Sequence, residues 1–179
     1  MQSRKSKIYM LTRCSLLSAL LCVTSPFIIP FGAVPFTLAI MMIMLISNIL
    51  SVKESLISVL VYIFLGTVGI PVFSGFQGGV SVITGPTGGF ILSYIPVAIV
   101  VSLMRNKNFG IRIVAGIFAL LICYFLGTLH FVLVSGEKSI VSAVTVCVVP
   151  FVVPDAIKLV AATYFGGKIK TKLSKEYIL

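Results

Sequence analysis

The sequence predicts an all-α protein, a bundle of six transmembrane helices, and three observations carry that expectation. Of 179 residues, 59% are hydrophobic and only 10% are charged, with a mean hydropathy of +1.19. A soluble domain is about half apolar and a quarter charged, so this composition calls for lipid as solvent. No charged residue occurs from Ser55 to Met104, a run far longer than a soluble surface tolerates. The basic residues, finally, sit at the ends of apolar stretches, where they act as topology signals.

A helix spanning a hydrocarbon core ~30 Å thick needs ~20 apolar residues. The first such stretch covers about 8–26, and PFIIPFGAVP (26–35), with three prolines and a glycine, ends it and starts the next. The second, about 35–50, closes at Ser51, Val52, Lys53 and Glu54. A third occupies about 55–66 and leads into a glycine-rich segment, 66–89. The fourth, about 89–103, ends at the basic loop RNKNFGIR. The fifth covers about 113–134, and SGEKS turns the chain into the sixth, about 140–167. No cleavable signal peptide is predicted, because the run after Arg13 is of spanning length and leads straight into another.

With the N-terminus in the cytoplasm, the inner side collects Arg4, Lys5, Lys7, Arg13, Lys53, Arg105, Lys107, Arg112, Lys168, Lys170, Lys172 and Lys175, twelve of the fourteen basic residues. Lys138 falls outside and Lys158 lies within the sixth span. The positive-inside rule therefore puts both termini in the cytoplasm and the glycine-rich segment on the outer face. These basic residues form no aromatic-interleaved patch, which argues against nucleic acid despite a net charge of +10. Cys14, Cys22, Cys123 and Cys147 lie in apolar stretches without metal-type spacing and are expected to pack as small apolar residues.

The segment 66–89, GTVGIPVFSGFQGGVSVITGPTGG, holds eight of the fifteen glycines, two prolines and no charge. Non-helical backbone at membrane depth persists only where protein buries it or where it lines a cavity. One reading is a structured outer loop whose glycines serve turns and tight packing. The other is the lid and wall of a pocket, in which backbone amides and Phe73, Phe76 and Gln77 approach a ligand. The cluster Gly85-Pro86-Thr87-Gly88-Gly89 lacks the Gly-Lys-Ser/Thr ending of a nucleotide loop, so no nucleotide site is expected there.

Asp155 and Lys158 are the acid and base lodged deep in a predicted span, and at i and i+3 they share one helix face. Lys158 precedes Lys168 by ten residues, ~15 Å of helix, which places the pair from mid-membrane to the outer half. Pro150 and Pro154 precede the pair and predict a kink or a restart. An intrahelical ion pair is the plain interpretation; the cost of burying a carboxylate at that depth favours a functional one. A carboxylate accepts ligand N–H groups and an ammonium meets a ligand anion, so the pair suits a zwitterion-like or ureido-plus-carboxylate molecule. Tyr124 and Tyr164 either line a cavity or anchor near an interface. His130, the single histidine, is expected to be packed and hydrogen-bonded, with no metal ligation. Neither a GxSxG elbow nor an HExxH motif occurs, so an intramembrane enzyme has no visible nucleophile–base pair. A channel would repeat polar residues along one helix face, whereas Asp155 and Lys158 form a single layer. In the first helix, Ser15 with Ala19, and Cys14 with Ser18 and Cys22, form two flat strips that permit close approach of another helix, in this chain or in a partner.

Five motifs in order, GAVPFTL (32–38), GIPVFSGFQGG (69–79), GPTGGF (85–90), YFLGTLH (124–130) and PFVVPDAIK (150–158), resemble the BioY family, biotin-specific S components of energy-coupling factor (ECF) vitamin transporters. The resemblance covers nearly the whole chain. It implies a six-helix bundle that captures biotin from outside, beneath the connections between helices one and two and between helices three and four. It implies ligand contacts at Asp155 and Lys158, and pocket residues at Thr37, Phe73, Gln77, Gly78, Gly85, Pro86, Thr87 and Tyr124. The strip of Ser15 and Ala19 matches the family's AxxxA surface, which docks on the transmembrane coupling subunit, and two ATP-binding subunits complete the implied partners. The implied role is that of a transport subunit, not an enzyme, in a prokaryotic cell membrane, with biotin as ligand and no cofactor. The chain departs from the family pattern at Ala39 (usually Gln), Phe90 (Tyr), His130 (Trp) and Ser15 (Ala). An S component for another small vitamin is the alternative.

Overall fold

A computed structural model describes residues 2–29, 36–136 and 139–176, and side chains over 8–28, 36–136 and 139–173. Residues 30–35, within the connection after the first predicted helix, lie outside the described residues, as does Lys138; so do the side chains of Arg4, Lys5, Lys7 and Lys175.

Eight helices form among the described residues: α1 (Gln2–Thr24), α2 (Ala39–Ile49), α3 (Val52–Thr67), α4 (Val80–Thr84), α5 (Gly88–Leu103), α6 (Phe109–Ser135), α7 (Ile140–Cys147) and α8 (Val152–Glu176). Two-residue strands, β1 (Ile28–Ile29) and β2 (Phe36–Thr37), pair antiparallel with Ile28 opposite Thr37. The six predicted helices have become eight for two reasons. The glycine-rich segment contains the short α4, entered through Gly79 at φ 102°. The sixth predicted helix breaks over 148–151, where α7 and α8 meet at a bend of 48°. Pro150 lies within that break and can donate no backbone hydrogen bond.

Sequence sets the helix boundaries by capping. Ser51 and Glu54 form a reciprocal capping box, so α3 begins at Val52 instead of after Glu54. Asn108 caps α6 by accepting a hydrogen bond from the Ile111 amide at 2.9 Å.

The short helix α2 is buried on almost every side, nine of its eleven residues being covered, and it is the centre of the bundle. It runs along α8, while α5 lies along α6, α3 along α5 and α1 along α3. Leu21, Ile43, Met44, Val59, Tyr62 and Val97 are fully enclosed between these helices. The perimeter is apolar as well: on α6, Val114, Phe118, Leu121, Phe125 and Leu133 are all more than half exposed. Among the described residues, only α6 is by itself long and apolar enough to cross a membrane, and the bent α7–α8 pair qualifies as one unit. A core helix of a soluble protein would be mostly covered, whereas only 28% of the most apolar part of α6 is buried.

The two ends of the bundle differ. At one end Arg13 pairs with Glu54 at 3.2 Å, Arg105 donates to the Ile49 carbonyl at the end of α2, and Lys170 donates to the Arg105 carbonyl. At the other, the connection between α3 and α5 folds over the end of α1. The Gly75 amide donates to the Pro26 carbonyl at 2.9 Å, and the Phe27 and Phe76 rings meet edge to face at 5.4 Å. A glycine is required at 66, where a Cβ would stand 2.1 Å from the Phe73 ring, and at 78, where it would strike the Ile70 carbonyl.

Candidate functional site

The break before α8 puts Asp155 in the first turn of that helix, where the partial positive charge of the N-terminus favours a carboxylate. One turn later Lys158 donates to Asp155 Oδ1 at 2.8 Å. The Tyr124 hydroxyl, from α6, donates to Asp155 Oδ2, also at 2.8 Å. Lys158 Nζ donates in addition to the Thr37 carbonyl of β2 at 2.8 Å and lies 3.6 Å from the centre of the Phe36 ring. Asp155 and Lys158 are each only 6% exposed. The pair therefore joins α8, α6 and the α1–α2 connection in one buried network.

That network borders a cavity beneath the two connections. Ser25, Ile40, Tyr62 and Ser74 contribute to its wall, together with Phe90, Ile91, Tyr94, Cys123, Cys147 and Phe151. The Ser25 and Tyr62 hydroxyls are hydrogen-bonded at 2.6 Å. Most of the wall is apolar or aromatic and the charged groups stand at one place, the usual construction of a small-molecule pocket. Lys158 has three N–H donors, and two are used within the protein; the Asp155 carboxylate also retains acceptor capacity. The site can thus meet a ligand N–H and a ligand oxygen side by side.

Among the residues singled out from sequence, Asp155, Lys158, Thr37, Thr87 and Tyr124 come together on this cavity. Gln77, Gly78, Gly85 and Pro86 instead line a separate shallow groove on the outside of the cover, which Thr87 also borders. Phe73 lies in neither lining: its side chain is fully buried, edge to face with Tyr62 at 5.5 Å. Phe76 is exposed and Tyr164 lies towards the basic end, beside Lys168. His130 Nε2 is within hydrogen-bond distance of the Gly85 carbonyl at 3.0 Å, so the histidine ties α6 to the cover. Phe90 lines the cavity and Ala39 is buried at the start of α2. Sequence reading missed Ser25, Tyr62, Tyr94 and Cys147, which carry no motif.

The two strips on α1 separate cleanly. Cys14 and Ser18 are buried against α3, the Ser18 hydroxyl donating to the Ser58 carbonyl at 3.3 Å and the Ser58 hydroxyl to the Cys14 carbonyl at 3.4 Å. Ser15 and Ala19 face outward and are exposed.

Fold and site together define a helical bundle with a largely apolar cavity that carries a buried acid–base pair at its edge. A family model described as the BioY family matches residues 1–175, and the chain belongs to that family. Its relatives include the biotin transporter BioY of Thermotoga maritima, 38% identical over 168 residues, covering 93% of this chain and 98% of that protein. The biotin transporter BioY2 of Lactococcus lactis is 34% identical over 181 residues, covering 96% and 95%. Among solved structures, the S component for biotin from an ECF-type ABC transporter superposes with a TM-score of 0.84 at 22% identity, covering 93% of each chain, so the fold is shared.

Proposed function

We propose that this chain is a biotin-binding membrane subunit, the S component of an ECF-type vitamin uptake transporter. Membership of the BioY family supports the transport role, since its relatives are named biotin transporters. The observation that carries the site assignment is the buried Asp155–Lys158 pair at the edge of a largely apolar cavity. Six spans follow if α1, α2, α3, α5, α6 and the α7–α8 pair each cross the membrane, with α4 in the outer cover. The basic end then lies in the cytoplasm with both termini, and the cavity opens outward. Biotin enters beneath the two connections. Asp155 accepts from its N–H groups, Lys158 donates to its oxygens, and the aromatic wall holds the fused rings. The outer groove of Gln77, Gly78, Gly85 and Pro86 belongs to the cover that must part for entry. Import against a gradient is the work of a coupling membrane subunit, which docks on the exposed Ser15 and Ala19 face, together with two ATP-binding subunits.

Equilibrium binding to the purified chain, without nucleotide, tests the substrate. Biotin is expected to bind at least about a hundredfold more tightly than thiamine, riboflavin or folate, a gap of ~2.7 kcal/mol. A preference for one of the others would keep the S-component reading and replace the substrate.

A further inference from the structure

The basic end contains a second concave site, between the start of α6 and the last turns of α8. Its floor is Arg112, which is only 9% exposed. Arg112 Nε donates to Asn48 Oδ1 at 2.8 Å and Nη2 to the Thr163 carbonyl at 2.5 Å. Gly167 makes room for the guanidinium, since a Cβ there would stand 2.5 Å from Nη1. The two acids with described side chains, Glu54 and Asp155, are ion-paired with Arg13 and Lys158 and do not neutralise it. The cleft beside Arg112 is bounded by Phe109, Tyr164, Lys168, Thr171 and Lys172. Lys168 Nζ lies 4.5 Å from the centre of the Tyr164 ring.

The outer face of α8 gives this cleft a direction. Val160, Tyr164, Lys168 and Lys172 recur every four residues and so share one face, and all four are exposed. With Ile157, also exposed, the stripe passes from aliphatic through aromatic to cationic over ~22 Å of helix. An anionic head with an apolar tail fits that order; a free anion uses only its last turn.

We propose that the cleft between α6 and α8 seats the phosphodiester of an anionic glycerophospholipid of the inner leaflet. The proposal rests on α6 and α8 spanning the membrane with this end inside. The phosphate meets Lys168 and Lys172 above the guanidinium of Arg112, Tyr164 stands at the level of the glycerol, and an acyl chain follows Val160 and Ile157. A zwitterionic lipid brings its own cation into this cationic cleft and is disfavoured.

The test is native mass spectrometry of the full chain, released from micelles containing equal amounts of phosphatidylglycerol and phosphatidylcholine with identical acyl chains. Phosphatidylglycerol is expected to be retained at least about fivefold over phosphatidylcholine. In Lys168→Gln/Lys172→Gln the ratio is expected to fall to about one, while Lys53→Gln/Lys107→Gln, which removes as many charges from the same end, keeps it. A ratio near one in the unaltered protein would overturn the proposal. So would an equal loss in the Lys53/Lys107 variant, which would mean diffuse surface charge. Displacement of the lipid by chainless glycerol 1-phosphate would identify a free-anion site instead. Biotin binding, measured on the same samples, is expected to be unchanged throughout and reports separately on the cavity.

Discussion

Replacing Lys158 by alanine is expected to weaken biotin binding at least about tenfold, ~1.4 kcal/mol, and Asp155→Ala to do the same. The ammonium lies in a nearly dry site between Asp155, the Thr37 carbonyl and the Phe36 ring, where a charged hydrogen bond to a ligand is stronger than it would be in water. Each single change also leaves a buried charge without its partner, which typically costs ~3–5 kcal/mol of stability. Loss of binding must therefore be separated from loss of fold. The double variant Asp155→Ala/Lys158→Ala removes both charges and is expected to regain much of the stability while still binding poorly. Titration calorimetry beside thermal melting separates the two effects. Recovery of stability together with affinity would reduce the pair to a structural ion pair.

A second large effect is expected on the far side of α1. Leucine at both Ser15 and Ala19 should reduce biotin uptake by whole cells to background, with binding to the purified protein unchanged. These side chains face away from α3, so enlarging them leaves the bundle intact, but it stands a partner helix off from a surface that small residues keep flat. The same enlargement at Cys14 and Ser18 is expected to lower stability instead, because those side chains pack into the backbone of α3. Loss of binding in the Ser15/Ala19 variant would make that strip internal packing.

Much of the site was legible because ionisable residues in an apolar helix cost so much to bury. Asp155 and Lys158 stood out on composition alone, and their i, i+3 spacing correctly placed both on one face. Pro150 signalled the break that brings Asp155 to a helix start, although not its 48° bend. The two strips of α1 were legible as strips, but which of them faced inward depended on hydrogen bonds to α3, some forty residues away. Glycine content marked the cover and concealed its interior. Phe73 looked like a pocket wall, yet the absence of a side chain at Gly66 opens a hole that its ring fills completely. Lys158 reaches Thr37 through a backbone carbonyl, which no side-chain pattern records. Ser25, Tyr62, Tyr94 and Cys147 come from four separate helices or helix ends, and only packing brings them onto one cavity. The start of α3, by contrast, was available in the Ser-x-x-Glu spacing of Ser51 and Glu54, a capping signal that the charge of the cluster obscured.

The most direct measurement is a structure of the protein solved with biotin bound. The expected result places biotin in the cavity beneath the two connections, with polar atoms ~2.7–3.2 Å from the Asp155 carboxylate and the Lys158 ammonium. Biotin resting in the outer groove of Gln77 and Pro86, with the Asp155–Lys158 pair untouched, would contradict it.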